Sequence, residues 1–196
     1  MRGPLLLLAL SSAAAAAATE PVPDDAVRAV RVEVFEDALA DAALSAASEQ
    51  LGTPYRWNGR DTARLPGLDC LGLLFVAYGP ATDTPWSAYP VNPSELVAGE
   101  WLGPTVEGTP AMRRDLDVGD LQPGDVLYFL MEGYEIPDAP LWVRGQAAFW
   151  PWHTALYVGG GEVLHAAPGD EVRRQALDSI AWDALLATRP ALSAPR

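Results

Sequence analysis

The order of elements along the sequence predicts an α+β fold, with helix candidates in the first half of the chain and strand candidates in the second. Residues 36–51 are rich in alanine, with Leu39, Ala42, Ala43 and Ala46 among good helix formers. Residues 154–158 and 162–166 are short apolar runs joined by Gly159-Gly160-Gly161, a strong hairpin signal. At 196 residues the chain fits one compact domain with a real core.

Residues 1–18 read as a signal peptide, with Arg2 as the basic segment, Leu5 to Leu10 as the apolar segment and Ala16-Ala17-Ala18 as the cleavage site. Residues 19–35 form a lead-in that begins with two prolines and three acids. Val27, Val30, Val34 and Ala38 fit a helical face, while Val30, Val32 and Val34 also alternate like a strand, so periodicity leaves both readings open. Residues 36–190 are then a single domain. Gly52 and Pro54 end the alanine-rich helix.

A glycine- and charge-rich loop, Asn58 to Gly67, leads to Asp69. The run Cys70 to Tyr78 suits a short buried helix with Asp69 as its N-cap, although its length also allows a strand. Residues 79–124 are rich in proline and glycine and hold at most one short helix, Ser94 to Trp101. Pro123-Gly124-Asp125 turns the chain into a strand at 126–130, and a long connection carrying Trp142, Phe149, Trp150 and Trp152 runs through 131–152. A strand at 171–176 follows the hairpin, and a short helix near Ser179 to Leu186 closes the fold.

All 13 basic residues are arginines, against 26 acids, and the formal charge is −13. Removal of residues 1–18 takes away Arg2 and leaves −14. Such a surface repels polyphosphate, so nucleic acid is not an expected partner. No later segment resembles a membrane span, and no cysteine stands directly after Ala18 to carry a lipid, so stable membrane insertion is not expected. Cys70 is the single cysteine, which excludes an internal disulfide and leaves a free thiol in an oxidising compartment, periplasmic or extracellular.

The first helical turn behind Asp69 would favour a Cys70 thiolate through unpaired amides and the helix dipole, partly opposed by the Asp69 carboxylate. The chain has only two histidines, and both fall in the hairpin. With a three-residue loop Val158 pairs with Glu162, Ala155 with His165 and His153 with Ala167. Both imidazoles then lie diagonally on one face, while Leu156, Val158 and Leu164 face the core. This arrangement predicts a Cys-His pair in which His153 takes the thiol proton and His165 holds the His153 ring in the useful tautomer. The Cys70 backbone amide would hold the oxyanion. The alternative, a zinc ion on Cys70, His153 and His165, lacks the close ligand pairs usual in structural sites. No cofactor is expected.

The blocks Leu51-Gly52-Thr53-Pro54-Tyr55-Arg56-Trp57, Asp69-Cys70-Leu71-Gly72-Leu73, Gly124-Asp125-Val126, His153-Thr154-Ala155-Leu156-Tyr157-Val158-Gly159 and Val163-Leu164-His165-Ala166 occur in this order. Together they resemble the NlpC-type cell-wall cysteine peptidases. The resemblance implies a papain-like fold, with the nucleophile at a helix N-terminus packed on a mainly antiparallel sheet. It also implies a Cys70, His153, His165 triad, a Tyr55 hydroxyl in the site, and hydrolysis of amide bonds in peptidoglycan stem peptides through a thioacyl enzyme. Asp69, Leu71 and Trp152 complete the candidate substrate and oxyanion residues. Leu71 stands where the family commonly has serine, and the connections 79–124 and 131–152 are enlarged. The same residues could serve an amidase or acyltransferase on another amide or ester, or a non-catalytic module that binds wall fragments or a protein.

Overall fold

The computed structural model describes residues 37–60, 62, 65–134 and 136–191. The predicted signal peptide and the lead-in, with its strand-or-helix alternative, lie outside the described residues. Helix α1 covers residues 37–48 and unwinds through a turn at 49–52, three residues earlier than predicted. It buries Leu39, Ala43 and Ala47, one residue every four, as one face of a helix requires. Gly52 leaves the turn at φ 81°, and its N–H donates to the Val172 carbonyl at 2.8 Å.

Helix α2 (Cys70–Ala81) starts behind Asp69 as predicted but runs on through Gly79-Pro80. A proline in the last turn removes only one helical hydrogen bond. The stop comes from Thr82, whose N–H and hydroxyl both donate to the Tyr78 carbonyl, at 3.0 and 2.8 Å. Eight of the twelve residues of α2 are buried, so the segment has no polar face by which its sequence could announce a helix. Helix α3 (Pro93–Ala98) replaces the predicted 94–101. The Asn92 side chain caps the Ser94 and Glu95 amides, Pro93 occupies the first turn, and Gly99 ends it.

The sheet comprises β1 (Ala111–Met112), β2 (Val126–Glu132), β3 (Trp142–Arg144), β4 (Ala147–Gly159), β5 (Glu162–Ala166), β6 (Val172–Ala176) and β7 (Ala184–Thr188). Its order is β1-β7-β2-β4-β5-β6, with β3 also on β4, and every strand pair is antiparallel. Two predictions are corrected here. The helix expected near Ser179 to Leu186 is a 3₁₀ turn, Leu177–Ser179, followed by strand β7. All five residues of β7 are buried between β1 and β2, and a strand covered on both faces reads as a continuous apolar run without period. Half of the connection 131–152 is also strand, since β4 begins at Ala147 and folds back on β3 through a turn with Gly145 at φ 65°. Trp142 and Phe149 pack against the core, their rings 5.0 Å apart.

Tyr78, Tyr128, Leu156 and Leu164 fill the space between the sheet and the helices. Leu127, Phe129, Tyr157, Val163 and Trp182 form a second core on the opposite face. Both faces of the central strands are therefore dry. Among the described residues no helix is long and apolar enough to cross a membrane.

Candidate active site

The loop before α2 lies directly on its first turn. A Cβ at Gly72 would stand 1.9 Å from the Gly59 carbonyl oxygen, so only glycine lets the two backbones meet. Asp69, 4% exposed, gathers this loop. It accepts from the Gly72 N–H at 2.8 Å and the Asn58 N–H at 3.0 Å, and it forms an ion pair with the largely buried Arg60. The Arg60 guanidinium lies 5.7 Å from the centre of the Phe75 ring. Cys70 is thereby held at the start of α2.

The hairpin reaches the predicted register by a different route. Leu156 pairs with Leu164 and Tyr157 with Val163, but Gly159 pairs with Glu162 instead of Val158. The loop is thus Gly160-Gly161, both at positive φ, and a bulge at Val158 supplies the compensating residue. A two-residue loop alone would have placed the imidazoles on opposite faces; the bulge turns them back. A second irregularity on the β2 side, where Phe129 pairs with His153 and Leu130 with Pro151, leaves Trp152 as the extra residue. Trp152 and His153 accordingly sit side by side, ring centres 5.2 Å apart, and the indole N–H donates to the Ala181 carbonyl at 3.0 Å.

The two histidines meet, His153 Nε2 lying 2.7 Å from His165 Nδ1. His165 Nε2 lies 3.1 Å from Gln175 Oε1, which also accepts from Arg173 Nε at 3.2 Å and Nη2 at 2.9 Å. The arginine donors fix the amide oxygen toward His165, so His165 carries its proton on Nε2. Its Nδ1 must then accept from His153 Nε2–H. This leaves His153 Nδ1 as the basic nitrogen.

A cavity of about 360 Å³ is lined by Cys70, His153, Asp69, Leu71, Trp152 and Thr154, together with Arg60 and apolar residues of neighbouring loops. Leu71 is buried and Trp152 half-buried on its wall. Tyr55 lies close by rather than on that wall; burial, then the Cys70 and Asp69 charges, push its phenol up to about 12. Burial, with His165 second, pushes His153 down to about 3, and burial also lowers His165. The expectation of a lowered thiol pKa is reversed. Burial first and the Asp69 carboxylate second raise Cys70, outweighing the Thr154 hydroxyl and backbone N–H and the Arg60 charge, which favour the thiolate. These shifts all favour the neutral forms, thiol and imidazole. Among the described residues no group of three His, Cys, Asp or Glu side chains could hold a metal ion.

The sequence model of the NlpC/P60 family matches residues 52–188. This chain belongs to the NlpC/P60 family. It is 30% identical over 139 residues to a probable endopeptidase of Mycobacterium tuberculosis, covering 70% of this chain and 26% of that protein. It is 26% identical over 141 residues to murein DD-endopeptidase MepH of Escherichia coli, covering 71% of this chain and 41% of that one. The chain thus spans less than half the length of these curated relatives. The P60 domain of a Mycobacterium avium subspecies paratuberculosis antigen superposes with a TM-score of 0.52 at 15% identity, covering 79% of this chain and 96% of that domain. That likeness concerns the fold, which is papain-like as the family resemblance implied.

Within this NlpC/P60 chain the structure adds three residues that motif reading overlooked. Arg60 was hidden in a loop read only by composition. Gln175 becomes visible once the hairpin register is carried to the next strand, where His165 pairs with Arg173 and Val163 with Gln175. Thr154 is 1% exposed, and its hydroxyl has no hydrogen-bond partner in the resting site. That hydroxyl is among the groups that favour the ionised form of Cys70, and a valine would lack it. Thr154→Val is therefore expected to slow alkylation of Cys70 at neutral pH by about tenfold, the effect of one pKa unit on the thiolate fraction. The rate of iodoacetamide labelling checks this, with Thr154→Ser expected to stay near the parent.

Proposed function

We propose that this chain is a cysteine peptidase acting outside the cytoplasmic membrane, where it hydrolyses amide bonds of peptidoglycan stem peptides through a thioacyl-enzyme intermediate. The carrying observation is the chain Gln175, His165, His153, which leaves Nδ1 as the basic nitrogen of a residue that lines the same cavity as Cys70. Cys70 Sγ attacks the substrate carbonyl carbon while His153 Nδ1 takes the thiol proton. The developing oxyanion is held by the Cys70 amide at the head of α2. Collapse breaks the C–N bond, and His153 Nδ1 returns the proton to the departing amine. Water, deprotonated by His153, then attacks the thioester to release the acid and restore the thiol. The murein endopeptidase name of one relative supports the substrate class, and the leader-like residues 1–18 support the location.

A second reading is favoured by the apolar wall, where Leu71 stands beside Val91, Ile136 and Pro137. There the same steps act on another amide or ester, as an amidase or acyltransferase. The two separate on digestion of purified peptidoglycan with mass analysis of the fragments. The parent chain is expected to release new stem-peptide fragments, and Cys70→Ala none. An unchanged fragment profile with the parent overturns the peptidoglycan reading.

A further inference from the structure

The hydrogen-bond chain behind the two histidines does not end at His165. The third polar group of a Cys-His site fixes its neighbour's ring, but a histidine in that place is ambiguous, because neutral imidazole has two tautomers. With the proton on Nδ1, His165 would become the donor to His153 Nε2. The basic nitrogen would then be Nε2 itself, occupied by His165 and turned away from the thiol. A third residue that is histidine therefore needs a fourth that decides its tautomer.

We infer that Gln175 is a positioning residue which, with its amide oriented by Arg173, locks His165 in the Nε2–H tautomer and so makes His153 Nδ1 the base. The inference rests on the reading of His153 as the base for Cys70. Gln175 Oε1 stands 3.1 Å from His165 Nε2 and receives two Arg173 donors at 2.9 and 3.2 Å. Those donors exclude the flipped amide, because an NH₂ group facing a guanidinium would have no acceptor. Arg173 is itself anchored by an ion pair with Asp170, three residues back across the turn that follows His165. Strand pairing sets the reach: Arg173 lies opposite His165 and Gln175 opposite Val163, so the amide approaches the imidazole diagonally on one face. Gln175 touches neither Cys70 nor the cavity, and its influence passes through two rings. It adds no charge at His165, so the lock leaves the histidine pair neutral, in keeping with its burial.

Because the chain contains only two histidines, ¹⁵N-labelled imidazoles can be read one by one in long-range ¹H–¹⁵N spectra of the intact protein at neutral pH. The parent is expected to show the Nε2–H tautomer at both His153 and His165. In Gln175→Leu the His165 signals are expected to move to averaged, mixed-tautomer positions, and kcat on peptidoglycan to fall about tenfold with KM little changed. If Gln175→Leu does not fold, Arg173→Gln, which loosens the amide without emptying the position, is expected to give the mixed signals. An Nδ1–H His165 in the parent overturns the inference, as does an unchanged spectrum in Gln175→Leu or in Arg173→Gln. The spectra need no substrate, so the tautomer lock can stand when peptidoglycan digestion fails and can fall when digestion succeeds.

Discussion

His153→Ala is expected to lower kcat on peptidoglycan about a thousandfold while KM changes little. A positioned general base contributes about 10²- to 10⁴-fold. The middle of that range applies here: burial and Asp69 raise the Cys70 pKa, which leaves more for a base to do, while burial lowers the proton affinity of His153 itself. The proton must leave during attack, to a nitrogen already free to take it, and the neutral His153 supplies that nitrogen. Steady-state kinetics on soluble muropeptides, beside a thermal melt showing an intact fold, measure the effect. A loss under tenfold removes His153 from the role of base. A parallel rise in KM would assign it to substrate binding instead.

The second large effect concerns stability. Asp69→Ala is expected to destabilise the fold by about 3–5 kcal/mol, because it strands Arg60 in a buried position without its counter-ion. The lost N-cap of α2 accounts for about 1 kcal/mol of this. Asp69→Asn can still accept from the Gly72 N–H but cannot neutralise Arg60, so an intermediate loss is expected. Urea unfolding followed by tryptophan fluorescence checks the order Ala, Asn, parent. Equal losses in the two variants would show that the charge contributes nothing and that the cap and loop bonds carry the whole effect.

Local chemistry was the legible part of the sequence. Asp69 as a cap, Asn58 to Gly67 as a loop and the triple glycine as a turn all depend on near neighbours, and so did the shared face of His153 and His165. Burial on all sides erased the rest. Helix α2 and strand β7 have no polar face, so period could place neither the end of one nor the type of the other. The rise in the thiol pKa is hidden for a related reason, since a sequence displays the helix N-terminus but not the desolvation that outweighs it. Arg60, Thr154 and Gln175 reach the site from a loop, from the residue beside a known candidate and from a neighbouring strand. Only folded registers bring them there. Leu71 is buried on the cavity wall and helps to make that wall apolar.

The tight turn and the bulge of the β4–β5 hairpin cancel, so twelve positions between His153 and His165 serve as they would with a three-residue turn and no bulge. Paired residues share a face whatever the length of the loop, so one residue added between Gly160 and Gly161, or Val158 removed, leaves Leu156 opposite Leu164 and both imidazoles on one side. The alignment of the histidines is thus a property of which residues face each other across the two strands, and the tip of the hairpin is free to vary.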